Sequence, residues 1–205
     1  MPDLSKNWMR IARRLVVATL IYNIVEAVVA IGSGIIARSI ALVGFGLDSA
    51  IEVTSGITLL WRLRSDSNLV KRESSERVAL KIVGFCFVAL AVYVSYESLE
   101  ALIASQAPER TIPGIVLALV SVVVMPILAR SKRVVAGQIG SAALVADSKQ
   151  TSLCTYLSAI LLVGLGLNAA LGWWWADPIA GLIMVPIIAK EGIDALRGKT
   201  CCDCG

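Results

Sequence analysis

The sequence predicts an all-α integral membrane protein of six transmembrane helices. Of its 205 residues, 57% are hydrophobic and only 17% charged, with a mean hydropathy of +0.79. Apolar runs of about 20 or more residues, each long enough for a hydrocarbon core of about 30 Å, take up nearly the whole length. Basic residues cluster beside alternate run ends, as topology signals do. No room is left for a soluble domain, so function is expected inside the bundle. The net charge of +4 is accounted for by topology, and no nucleic-acid partner is expected.

Taken in order, the start PDLSKNWMRIARR is polar and basic and leads into an apolar run without a small-residue cleavage site. It reads as a first span, not a signal peptide. Helices are expected at about 11–32, 38–62, 76–104, 112–130, 138–168 and 176–196, joined by short loops within one domain of residues 1–200. Lys6, Arg10, Arg13 and Arg14 precede the first helix, and Arg62, Arg64, Lys71, Arg72 and Arg77 follow the second. Arg130, Lys132 and Arg133 follow the fourth and Arg197 and Lys199 the sixth, whereas the opposite side offers only Arg38 and Arg110. Both termini are therefore expected in the cytoplasm. Trp173, Trp174 and Trp175 would mark the outer interface, Trp8 and Trp61 the inner one. Pro126 and Pro186 are expected to kink helices that neighbours support.

The second span, SIALVGFGLDSAIEVTSGITLLWR, carries Asp48 and Glu52 near its middle. Each lies about 15 Å of helix rise from a flanking arginine, Arg38 or Arg62, which puts the pair near the midplane. At i and i+4 the carboxylates share one face, a turn apart. A charge at that depth costs roughly 2.5–3.5 kcal/mol on insertion scales, so two together require cations, protons or water as company. An echo follows half a chain length later: Ser39, Ala41, Leu42 and Val43 recur as Ser141, Ala143, Leu144 and Val145. The same offset pairs Asp48 with Gln150 and Glu52 with Cys154. In the expected topology the two copies run in opposite directions, the pattern of inverted repeats that hold a substrate between them.

These residues resemble the cation diffusion facilitator family of divalent metal transporters, across all six helices. The family phrase S-x-A-L-L-A-D-A-x-H-x-x-x-D aligns without gaps on Ser39 to Glu52, with Asp48 at the histidine position and Glu52 at the aspartate position. A second phrase, A-D-A-x-H-x-x-x-D, is followed by Ala146, Asp147, Ser148, Lys149, Gln150 and Cys154. Asp177-Pro178-Ile179-Ala180 is similar to the phrase that opens the family's sixth helix. Members usually add a C-terminal cytosolic domain; this chain stops just after its sixth helix and is expected to belong to a short branch. The resemblance implies a homodimer, here through membrane helices, where Gly164 and Gly166 permit close approach.

The metal site so implied comprises Asp48, Glu52, Gln150 and Cys154, two carboxylates, a thiolate and an amide or water around a tetrahedral cation. The bland alternative is that Gln150 merely binds helices together and Cys154 fills space. Asn23, Glu26, Glu97 and Glu100 are expected in the outer halves of their spans, as an acidic exit route or as locally paired groups. Asp147 and Lys149 bracket the inner approach, and Lys149 is expected to hold a carboxylate when no metal is bound. Cys86 and Cys154 fall in spans and Cys201, Cys202 and Cys204 crowd the tail, which is not a disulfide framework. That tail, residues 201–205, would capture soft metal loosely or lie idle. No histidine is present.

The function expected is export of a divalent transition metal, zinc first, in exchange for protons by alternating access. Cadmium, manganese, iron and cobalt are the other cargoes considered. No prosthetic group is expected. The location expected is the cell membrane, the inner membrane in a bacterium, with the protein crossing it several times. The rival is a membrane metal sensor or modulator that acts through the cysteine tail without transporting. Enzymatic chemistry is not expected, because no nucleophile–base constellation or phosphate loop appears.

Overall fold

The structure, a computed structural model, describes the backbone of residues 2–64, 69–105 and 108–197, so the cysteine tail lies outside the described residues. Among the described residues all regular structure is helical: α1 Pro2–Ala37, α2 Ile40–Arg64, α3 Leu69–Ile103, α4 Ile112–Ile139, α5 Ala142–Leu171 and α6 Ala176–Leu196. The helices pack chiefly as three pairs, α1 with α2, α3 with α6 and α4 with α5, and α5 also lies across α2. Five of them are long and apolar enough to cross a membrane; α6, with Asp177 at its start and Lys190, Glu191 and Asp194 near its end, is not among these. The expectation of six spans is thus met for five by length and composition.

Much of the apolar surface faces outward. Val28, Ile36, Ile103 and Ile112 are each at least 69% exposed, a distribution suited to a lipid surround and unsuited to water. Two buried apolar clusters fill the bundle. One joins α2, α3, α5 and α6 around Phe45, Val94, Leu161 and Met184. The other joins α1, α2, α4 and α5 around Val16, Leu59, Val135 and Leu144.

The sequence echo has a structural cause. α1 ends with Arg38 at φ 54° and α4 with Gly140 at φ 62°, both left-handed. At each junction the following serine closes the old helix: Ser39 N–H donates to Gly34 O at 2.9 Å, and Ser141 N–H to Ala136 O at 3.1 Å. The same serine starts the new helix, since Ser39 Oγ accepts from Leu42 N–H at 3.2 Å and Ser141 Oγ from Leu144 N–H at 3.3 Å. Leu42 and Leu144 are both wholly buried anchors. The repeated S-x-A-L phrase therefore encodes one helix hairpin twice.

Several helix ends differ from the sequence expectation: α1 runs Pro2–Ala37 where 11–32 is expected, α3 starts at Leu69 and not near 76, and α5 runs Ala142–Leu171 and not 138–168. The largest extension at a C-terminal end is in α4, which continues past residue 130 to Ile139, with Lys132 turned into the protein and not toward water. Trp173 and Trp175 stack at 5.0 Å in the α5–α6 connection. Pro126 and Pro186 both lie inside helices. Glycines bring α3 and α6 together: a Cβ on Gly84 would stand 2.8 Å from Gly192 O, and one on Gly192 would stand 3.0 Å from Gly84 O.

Candidate functional site

Asp48 and Glu52 lie on the face of α2 that meets α5, where their exposures are 4% and 2%. Cys154 of α5, 2% exposed, projects between them. Its thiol donates to Glu52 Oε2 at 2.7 Å and faces Asp48 Oδ2 at 3.3 Å. The offset between Cys154 and Glu52 is 102 residues, the offset of the sequence echo. Thr151, a turn before Cys154, reaches Glu52, while Cys154 also reaches back to Asp48. α2 and α5 consequently cross antiparallel at this point. Both acids of the α2 pair thus meet Cys154 of the α5 pair.

Gln150 joins this group less directly. It lines a water-sized cavity of about 10 Å³ with Asp48, Cys154 and Glu191, walled by Phe87, Leu157 and Ile188. Its Nε2 is buried without a hydrogen-bond partner. Among the described residues no group of three or more His, Cys, Asp or Glu forms a ready-made metal cage. Asp48, Glu52 and Cys154 are instead held together by the Cys154 thiol, whose sulfur lies within hydrogen-bond reach of both carboxylates.

A second set of groups sits next to Glu52. Thr151 Oγ1 donates to Glu52 Oε1 at 2.8 Å and accepts from Lys132 Nζ at 2.9 Å. Lys132, 1% exposed, also pairs with Asp147 Oδ2 at 2.7 Å. The sequence counts Lys132 among the topology charges and suggests Lys149 as the lysine that holds a carboxylate. The structure pairs Lys132 with Asp147 inside the bundle, and Lys149 is half-buried on the same helix as Asp147. Asn23 is wholly buried and lines the same cleft as Glu52, Lys132 and Asp147, with neither amide atom partnered.

Glu26 of α1 is wholly buried and accepts from Ser49 Oγ at 2.7 Å and from Ser121 Oγ, which also bonds Tyr22 Oη at 2.7 Å. The serines tie it to α2 and α4. Glu97 and Glu100 stand elsewhere, on a cavity of about 290 Å³ at the other end of α2, with Arg38, Tyr93 and Asp177.

Asp177 stands out in the sequence only through its phrase. The structure puts it 1% exposed against the start of α2. Oδ1 accepts from Ser39 Oγ at 2.5 Å and Oδ2 from Ile40 N–H at 2.9 Å. It thus caps α2 from α6, satisfying a backbone donor that the helix itself leaves open. An acid after an apolar loop, followed by proline at a helix start, is the signal the sequence carries for it.

Long apolar helices around buried ionisable side chains are the make-up of a polytopic membrane protein with a polar functional interior. The chain belongs to the cation efflux family: residues 16–199 match its transmembrane domain. It is 24% identical over 192 residues to an uncharacterized transporter of Methanocaldococcus jannaschii, an alignment covering 91% of this chain and 68% of that one. Identity is 25% over 180 residues to an uncharacterized transporter of Synechocystis, covering 84% of this chain and 58% of the relative. The chain therefore spans well under the full length of both relatives.

Proposed function

We propose that the protein exports a divalent transition metal, zinc first, in exchange for protons. The observation that carries this reading is the Cys154 thiol seated between Asp48 and Glu52 at the antiparallel crossing of α2 and α5. Two carboxylates and a thiol are the ligand types zinc and cadmium accept, and Gln150 beside them supplies an amide oxygen.

Coupling follows from shared atoms. A thiol and carboxylates must lose protons to ligate a cation, so cargo binding and proton release occur at one place. With its protons the group is near neutral; with a dication its charges are balanced; empty and ionised it is costly to keep in a dry bundle. That ordering favours exchange over leak. The two hairpins that repeat the S-x-A-L phrase, rocking against α3 and α6, would open the site to one side and then the other. In this reading α6 is the sixth span, both termini are cytoplasmic, and the protein works in the cell membrane as a homodimer held by membrane helices.

The test is metal uptake with lumenal pH recording in proteoliposomes, comparing zinc, cadmium, manganese, iron and cobalt. Metal flux with opposing proton movement is expected, and Asp48→Ala or Glu52→Ala should each abolish both. Metal-coupled proton flux retained in both variants would remove the site assignment.

A further inference from the structure

Lys132 is the buried group that the transport reading leaves unused. Its side chain is 1% exposed in a bundle whose interior carries Glu26, Asp48, Glu52 and Asp147, all at most 6% exposed. A cation so placed needs anionic company, and Asp147 at 2.7 Å provides it. The pair is not aligned as a hydrogen bond, since Asp147 Oδ2 has no hydrogen-bond partner. Nζ instead donates to Thr151 Oγ1 at 2.9 Å, and that hydroxyl donates to Glu52 Oε1 at 2.8 Å, the shorter of its two contacts, the other being the Asp147 carbonyl at 3.1 Å. The chain of donors runs from an ammonium on α4, through α5, to a carboxylate of the candidate metal site on α2. It ends there.

The cleft holds a further buried polar group. Asn23 lines it together with Glu52, Lys132 and Asp147, and Asn23 Oδ1 is buried with no donor. An ammonium has three donors. One is directed at Thr151, while Asp147 supplies the neighbouring negative charge.

We propose that Lys132 is a tethered cation that holds the cargo-free site shut, fixing Glu52 through Thr151 and giving way when a divalent cation arrives. It is a positioning residue, because it acts on Glu52 through the Thr151 hydroxyl. The proposal rests on the cation-transport reading for the identity of the displacing ion. A resident positive charge near the carboxylates both substitutes for cargo and opposes it, so its removal has two consequences of opposite sign. The empty site loosens. The loaded site binds cargo more tightly.

Cys154 reports on both. In purified metal-free protein, the alkylation rate of Cys154 by a maleimide, resolved by mass spectrometry, should rise about tenfold in Lys132→Met and in Thr151→Val. Zinc chloride should then protect Cys154 at about tenfold lower concentration in Lys132→Met than in the unsubstituted protein. Lys132→Arg, which keeps the charge, should stay within about threefold of the unsubstituted protein on both readouts. A residue needed only for packing would raise the alkylation rate but weaken zinc protection, so that combination overturns the proposal, as does an unchanged alkylation rate in both variants. If Lys132→Met fails to accumulate, Thr151→Val decides, since it cuts the relay and leaves the Lys132–Asp147 pair. Should zinc, cadmium, manganese, iron and cobalt all fail to protect the unsubstituted protein, the transport reading falls. Faster alkylation in Lys132→Met and Thr151→Val, with Lys132→Arg unchanged, would still uphold Lys132 as the latch.

Discussion

At the scale of single residues, the proposed site makes Cys154 the residue on which cation preference turns. A thiolate between two carboxylates draws the site toward zinc and cadmium, whereas a hydroxyl there would leave only hard oxygen ligands. Cys154→Ser keeps the hydrogen-bonding role seen toward Glu52 and Asp48. We expect it to weaken cadmium binding by at least about tenfold relative to manganese, measured by competition titration in detergent. An unchanged cadmium-to-manganese ratio would show that the sulfur is not a ligand. The pair Asp48 and Glu52 is legible from sequence because two acids one helical turn apart in an apolar run are costly to bury unless they hold a cation or protons. Lys132 is not legible in this way. A lysine near a run of arginines reads as a boundary charge until the neighbouring helix places Asp147 and Thr151 against it.

At the scale of elements, the two serine caps and the Asp177 carboxylate are where local sequence sets helix geometry. Ser39→Ala and Ser141→Ala should each lower stability by about 0.5–2 kcal/mol in thermal or denaturant melts, the usual worth of a cap. Ser39→Ala should cost the more of the two, because Ser39 Oγ also donates to Asp177 across to α6. Equal melting points for both variants and the parent would show that the caps are incidental. Glycines divide in a similar way. A Cβ on Gly164 would meet the Ala180 Cβ at 2.6 Å, whereas one on Gly166 would meet nothing within 4 Å. Gly164→Ala should therefore destabilise by about 1–3 kcal/mol by overpacking. Gly166→Ala should leave stability unchanged or raise it by up to about 1 kcal/mol, as a helix glycine exchanged for alanine does. By sequence both glycines suit a dimer contact; Gly164 is already used between α5 and α6 of the same chain.

At the scale of the whole molecule, the site lies where the two apolar clusters meet. Asp48 shares a cavity with Phe87, Leu157 and Ile188 of one cluster, and Glu52 shares a cleft with Val16 and Leu20 of the other. A movement of one cluster against the other would change the spacing of the ligands themselves. If cargo and protons compete for these ligands, the sign of the pH effect is set: acid protonates them and weakens metal binding, alkali strengthens it. Zinc affinity should fall about tenfold per unit drop in pH for each proton released on binding, and the released protons should appear in weakly buffered solution. A zinc affinity independent of pH between about 6 and 8, with no proton release, would remove proton exchange.

Some of this protein is determined by its sequence alone. Helix number and identity follow from apolar runs with few interruptions, and the repeated hairpin follows from a cap serine and a buried leucine that any helix start of this type needs. The acidic pair follows from i, i+4 spacing. These are local properties, governed by interactions a few residues long. What lies beyond local reading is the company each buried polar group keeps. Asp177 reaches from α6 to the start of α2, Ser121 of α4 and Ser49 of α2 share Glu26 of α1, and Lys132 stands inside the bundle with Asp147 and Thr151. A polar group removed from water must find its partner wherever packing brings one within about 3 Å, and only the tertiary arrangement of helices decides which groups those are.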